Sequence, residues 1–122
     1  MGKQILVIDD EESIRKSFKL ILDDAGYEID TAASGEEGVE KFKDGDFSMV
    51  LLDLKMPGMD GVQTLTEIRK MNEDVPVYIV TAFHAEFFGQ LQVATEAGIE
   101  FDVMRKPIES DDLCAIVASV LG

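Results

Sequence analysis

Short apolar runs alternate with amphipathic stretches along the whole chain. Ile5-Leu6-Val7-Ile8 is continuous, rich in β-branched residues and stopped by two acids. That is the pattern of a strand buried on both faces. Ile14, Phe18, Ile21, Leu22 and Ala25 follow at helical spacing, with Gly26 as the stop. Tyr27 to Ala32 reads as a weaker strand. Ser34-Gly35-Glu36-Glu37 is a capping-box sequence opening a helix with Val39 and Phe42 on one side. Phe47 to Leu52 contains a second strongly buried strand, Met49-Val50-Leu51-Leu52. Pro57-Gly58 and Asp60-Gly61 mark a turn-rich loop, after which Val62, Leu65, Ile68 and Met71 form a helical stripe. Pro76-Val77-Tyr78-Ile79-Val80 is a strand with proline at its first position, where no ladder donor is needed. Phe87, Leu91 and Ala94 predict a helix to Gly98, weakened by Gly89. Phe101 to Met104 is a short strand. Ser110 caps a last helix that turns Leu113, Ile116, Val117, Val120 and Leu121 inward.

The order is (βα)5, which predicts an α/β fold. Strands separated by helices require parallel crossovers, so helices should cover both faces of a doubly wound, five-stranded parallel sheet. Ligands in such folds bind outside the carboxyl ends of the strands. Strand one ends in Asp9-Asp10, strand three in Asp53, strand four in Thr81, and strand five runs into Lys106-Pro107. Three carboxylates, a hydroxyl and an ammonium should therefore meet at one edge. Carboxylates so placed raise each other's pKa, and a divalent cation would relieve them. The donors are hard oxygens with no His or Cys nearby in sequence, which favours Mg²⁺, with Mn²⁺ as the alternative. Lys106 supplies a point charge and Thr81 one hydroxyl donor. The set suits a phosphoryl group, with a carboxylate as nucleophile.

Charge narrows the partners. Of 122 residues, 11 are Lys or Arg and 25 are Asp or Glu, a net charge of −14. That opposes direct binding to nucleic acid or to anionic membranes. No apolar run approaches the ~18 residues of a membrane span. The single cysteine, Cys114, cannot form an internal disulfide, and the apolar run after Met1 is too short for a signal peptide. The expected location is the cytoplasm. Blander readings exist for several residues. Asp9-Asp10 could serve only to favour a helix start. Thr81 alone would read as structural, His84 as a loop residue, and Cys114 as packing on the last helix. Of Phe87-Phe88, either one ring faces the sheet while the other is exposed as a contact surface, or both belong to a broad apolar face.

Four pieces together resemble the response-regulator receiver domain of two-component signalling. They are Ile5-Leu6-Val7-Ile8-Asp9-Asp10-Glu11, Leu51 through Gly61 (Leu-Leu-Asp-Leu-Lys-Met-Pro-Gly-Met-Asp-Gly), Val80-Thr81-Ala82 and Lys106-Pro107-Ile108. They stand in family order and span essentially the whole chain. The resemblance implies a flavodoxin-like sheet of order 2-1-3-4-5, with strands one and three adjacent. It implies a signalling phosphoacceptor, not a metabolic enzyme, that catalyses its own phosphorylation and slow dephosphorylation. Asp53 would accept phosphate from the phospho-histidine of a sensor histidine kinase or phosphotransfer protein. Asp10, Asp53 and the backbone carbonyl of Lys55 would bind Mg²⁺ directly, and Asp9 through a water. Lys106 would pair with the phosphoryl oxygens, and Thr81 would move to hydrogen-bond them. The Lys106-Pro107 bond would be cis. The face formed by the fourth helix, fifth strand and fifth helix would meet an effector, as yet unknown, or form a homodimer.

Departures from the family pattern fall near that face. The segment from Thr81 to Lys106 is slightly long. The family's aromatic residue three positions before the lysine is Val103 here, and Phe101 could replace it only if the strand bulges. Lys55 and Phe83 occupy the positions that tune phosphoryl lifetime. Neither carries a carboxylate or amide to orient an attacking water, so slow self-hydrolysis is expected. No output domain follows Gly122, so one receiver domain over 1–122 is expected, standing alone or cut from a longer protein. The rival readings are an aspartyl-nucleophile phosphatase and a degenerate receiver used only for protein binding. The adjacency of Asp9 and Asp10 speaks against the first. The complete set Asp9, Asp10, Asp53, Thr81 and Lys106 speaks against the second.

Overall fold

A computed structural model describes residues 3–82 and 87–121. The elements run β1 (Gln4–Ile8), α1 (Glu12–Asp24), β2 (Glu28–Ala32), α2 (Gly35–Asp44), β3 (Met49–Asp53), α3 (Gly61–Met71), β4 (Val77–Thr81), α4 (Phe88–Glu96), β5 (Asp102–Arg105) and α5 (Ser110–Leu121). The five strands form one sheet of order β2-β1-β3-β4-β5, and every neighbouring pair is parallel. The doubly wound arrangement is the one the alternation of strands and helices predicts, and its flavodoxin-like strand order is the one the family resemblance implies.

Alternate residues of the central strands feed two separate cores. Leu6, Ile8, Val50, Leu52 and Ile79 pack with Phe42 of α2 and with Leu65 and Ile68 of α3. Ile5, Val7, Leu51 and Val80 pack with Phe18 and Leu22 of α1 and with Leu113 and Val117 of α5. Successive strand side chains point to opposite faces, and both faces are covered by helices, so β1 and β3 need unbroken apolar runs. Among the described residues no helix is long and apolar enough to cross a membrane.

Local signals behave differently from one turn to the next. Gly26 ends the first helix at φ +100°, a conformation that suits glycine. Ser34 Oγ accepts from the Glu37 N–H at 3.1 Å, but the Glu37 carboxylate accepts from Ala33 N–H, one residue too early for a closed box. The reciprocal box belongs to α3. Asp60 Oδ1 accepts from Gln63 N–H at 2.8 Å, and Gln63 Oε1 accepts from Asp60 N–H at 2.9 Å. The sequence marked Asp60-Gly61 as a turn and as the end of a family piece, not as a helix cap.

Three expectations change. Met71 is exposed, although it continues the stripe of α3. Steps of three residues fall behind the ~100° per residue of a helix, so nine residues carry Met71 about 180° from Val62. The last strand begins at Asp102, not Phe101. Its register, Tyr78↔Asp102 to Thr81↔Arg105, is unbroken, so no bulge brings Phe101 to the place of Val103. Phe101 instead packs against the first core together with Phe87, Leu91 and Ile99, while Val103 is 47% exposed. Of the neighbouring rings, Phe87 faces the core and Phe88 is 46% exposed, which decides for one ring in and one ring out. Phe83 and His84 lie outside the described residues.

Candidate functional site

Parallel strands end together, and β1 and β3 are neighbours, so their terminal acids converge. Asp53 is the last residue of β3, Asp9 follows β1 directly, Thr81 ends β4, and Lys106 follows β5. Asp9 is 2% exposed, Asp53 5% and Thr81 2%, whereas Asp10 is exposed. One carboxylate oxygen each from Asp9, Asp10 and Asp53 lies within 4.8 Å of the others. Lys106 Nζ donates to Asp9 Oδ2 at 3.0 Å and reaches Asp53 Oδ1 at 3.4 Å. The Lys106 N–H donates to the Thr81 carbonyl at 2.7 Å, and the Lys106–Pro107 peptide is cis. These contacts bring the last turn of β5 over the ends of β1 and β3.

The surrounding cleft holds about 560 Å³ and is lined by Asp10, Glu11, Asp53, Lys55, Met56, Pro57, Ala82 and Lys106. Its floor depends on one glycine. The Gly61 N–H donates to the Leu54 carbonyl at 2.8 Å, and a Cβ at Gly61 would lie 2.4 Å from the Asp53 carbonyl oxygen. Only a residue without a side chain lets the start of α3 approach the end of β3 so closely.

Electrostatics follow from this crowding. Burial, then the negative charge of Asp9, push the Asp53 carboxyl up to about 6, against the opposing pull of Lys106. Burial works against the charge on Lys106, but its hydrogen bonds and ion pairs with Asp9 and Asp53 outweigh it. Its pKa is therefore raised. A cation beside Asp53 would offset both the burial and the charge of Asp9 and so favour the ionised carboxylate. The donor set is all oxygen, which favours Mg²⁺ or Mn²⁺ over zinc.

The predicted residues Asp9, Asp10, Asp53, Lys55, Thr81 and Lys106 thus share one edge of the sheet. Phe83, assigned to phosphoryl lifetime, lies outside the described residues. The sequence reading misses the role of one residue at this edge and the whole of another. Gly61 reads as part of a turn and as the end of a family piece, without the close approach of α3 to β3 that it permits. Arg15, whose Nη1 donates to the Asp9 carbonyl at 2.9 Å, has no sequence signal until the turn between β1 and α1 is known.

Comparison with known proteins agrees with the geometry. The family described as response regulator receiver domain matches residues 5–118. The alkaline phosphatase synthesis transcriptional regulatory protein PhoP of Bacillus subtilis is 34% identical over 121 residues, 99% of this chain and 49% of that protein. The chain spans about half the length of the curated relatives it matches. The chemotaxis protein CheY4 of Vibrio cholerae superposes with a TM-score of 0.87 at 28% identity, over 99% of this chain and all of that one. The response regulator TrrA of Thermotoga maritima, solved in complex with Mg²⁺-BeF, superposes with a TM-score of 0.82 at 37% identity. That match covers 98% of this chain and 99% of the other.

Proposed function

Because this chain belongs to the response regulator receiver domain family, whose members are phosphorylation-type signalling switches, we propose that Asp53 is its phosphoacceptor, in a Mg²⁺-dependent reaction with a histidine-kinase or phosphotransfer partner. The observation that carries this reading is the cluster of Asp9, Asp10 and Asp53 gathered under the Lys106 ammonium.

Asp53 Oδ attacks the phosphorus of a phospho-histidine. The P–N bond breaks, its electron pair returns to the imidazole nitrogen, and an acyl phosphate remains on Asp53. Asp10, Asp53 and the Lys55 backbone carbonyl would hold Mg²⁺, with Asp9 acting through a water. When bound, the ion would neutralise charge on the transferring phosphoryl oxygens and keep Asp53 ionised. Lys106 is anchored by Asp9, so its ammonium can turn from Asp53 to the incoming phosphoryl oxygens without leaving the site. The Thr81 hydroxyl donates to the same group, and its movement biases a two-state equilibrium of the domain.

The face of α4, β5 and α5 is assigned by family likeness to an effector or a second copy, and exposed apolar side chains occur on two of its elements, Phe88 on α4 and Val103 on β5. PhoP is named a transcriptional regulatory protein. With a charge of −14, any transcriptional role of this chain would run through another domain or another protein. Lys55 offers no carboxylate or amide to orient water, so hydrolysis of the phosphorylated Asp53 is slow.

Acetyl phosphate and Mg²⁺, followed by intact mass, test this reading. Wild type gains one phosphoryl group and Asp53→Asn gains none. A wild type that stays unmodified overturns the reading in favour of a binding-only receiver. Turnover of a simple phosphate ester would favour a phosphatase. A self-hydrolysis half-life of seconds would overturn the prediction of slow loss.

A further inference from the structure

Every polar group of Asp9 is engaged. Its N–H donates to the Ala32 carbonyl at 3.1 Å, its Oδ1 accepts from the Glu11 N–H at 2.9 Å, and its Oδ2 accepts from Lys106 Nζ at 3.0 Å. Its carbonyl accepts from Arg15 Nη1 at 2.9 Å. The first two bonds come from the strand end and the tight turn after it. The last comes from a charged side chain reaching back from α1. That guanidinium comes from the first turn of α1, six residues on from the carbonyl it holds.

The Asp9 carbonyl belongs to the peptide that leads into Asp10. Holding that oxygen fixes the plane of the peptide, and with it the position of the Asp10 Cα from which the side chain leaves the backbone. Asp10 needs this. It is exposed, and among the described residues its carboxylate takes no hydrogen bond or ion pair, so its aim rests on its backbone. Asp9 and Asp53, by contrast, are buried and held by Lys106.

We propose that Arg15 is a positioning residue for the cation site, locking the Asp9–Asp10 peptide so that the Asp10 carboxylate faces Asp53. This inference rests on the cluster being the cation-assisted phosphoryl site argued above. It has a consequence that charge alone would reverse. A guanidinium near the site repels a divalent cation, so Coulomb's law predicts tighter cation binding when Arg15 is neutralised. Positioning predicts weaker binding. The sign of the change separates the two.

The test is Mn²⁺ titration of the full chain, read by electron paramagnetic resonance of the free ion, for wild type, Arg15→Ala, Arg15→Lys and Lys19→Ala. Urea unfolding in EDTA runs beside it. Lys19 is a neutral-site control. It is exposed on the same helix and paired with Asp23. Arg15→Ala should weaken Mn²⁺ about tenfold, the range for groups that orient a metal ligand from behind. Arg15→Lys should recover part of the loss, because an ammonium can donate to the same carbonyl. Lys19→Ala should stay within about twofold of wild type or bind more tightly. Unchanged or tighter binding by Arg15→Ala overturns the inference. So does an equal loss in Lys19→Ala, or a loss accounted for by the unfolded fraction measured in urea. A wild type that neither binds Mn²⁺ nor gains phosphate from acetyl phosphate overturns the site reading together with this inference. A competent wild type with an unaffected Arg15→Ala overturns this inference alone.

Discussion

Replacing Asp53 by Asn should stabilise the cation-free protein at neutral pH. The carboxyl is 5% exposed and titrates near 6 in the folded state, above its ordinary 3.8, because burial and the charge of Asp9 disfavour ionisation. Between those two values the folded chain binds the proton more tightly than the unfolded chain, so stability falls as pH rises through the window. The penalty is complete above about 6. At ~1.4 kcal/mol per pH unit, the gap amounts to about 3 kcal/mol. Asn carries no charge and escapes this penalty, but its amide must still be buried, so the net gain should be about 1–3 kcal/mol at pH 7.5. Urea unfolding of both proteins in EDTA, from pH 4 to pH 7.5, measures it. The advantage of Asp53→Asn should be near zero at pH 4 and grow through pH 5 and 6. Mg²⁺ should then narrow it by stabilising the wild type, by about 1.4 kcal/mol at tenfold its dissociation constant. A variant no more stable than wild type at pH 7.5, or an advantage that does not shrink toward pH 4, would refute the electrostatic account.

Lys106→Met removes the ammonium between two buried carboxylates; in EDTA at pH 7.5 it should lose about 3 kcal/mol in urea unfolding and recover part of it on acidification. Its modification by acetyl phosphate should slow at least about a hundredfold, the lower end for losing one electrostatic stabiliser, which a mass time course would show. Gly61→Ala forces a Cβ to 2.4 Å from the Asp53 carbonyl oxygen and 2.7 Å from Leu54 Cα. Neither backbone atom can swing aside, so the variant should be destabilised by about 3 kcal/mol and bind Mn²⁺ more weakly. Asp60→Ala opens the capping box of α3 and should lower stability by about 1 kcal/mol, seen as a lower urea midpoint at unchanged slope.

Much of this protein is local and therefore legible in one dimension. An apolar run closed by an acid states both that a strand is buried on two faces and where it ends. In a parallel sheet that end is the reactive edge. Asp9, Asp53, Thr81 and Lys106 could be assigned to one crevice for this reason, as could the (βα)5 order. Periodicity had less to say where two positions along one stripe drift apart, as Met71 does from Val62, and where a register decides burial, as for Phe101 and Val103.

The sequence by itself determined which chemical groups meet and at which end of the sheet, because both follow from strand polarity and spacing. Only the tertiary structure decided how those groups share charge. Whether Asp53 is buried, whether Lys106 bridges it to Asp9, and whether Arg15 reaches the Asp9 carbonyl all depend on distances between segments far apart in the chain or on the path of a turn. Those distances are set by packing on the two faces of the sheet, and no local pattern encodes them.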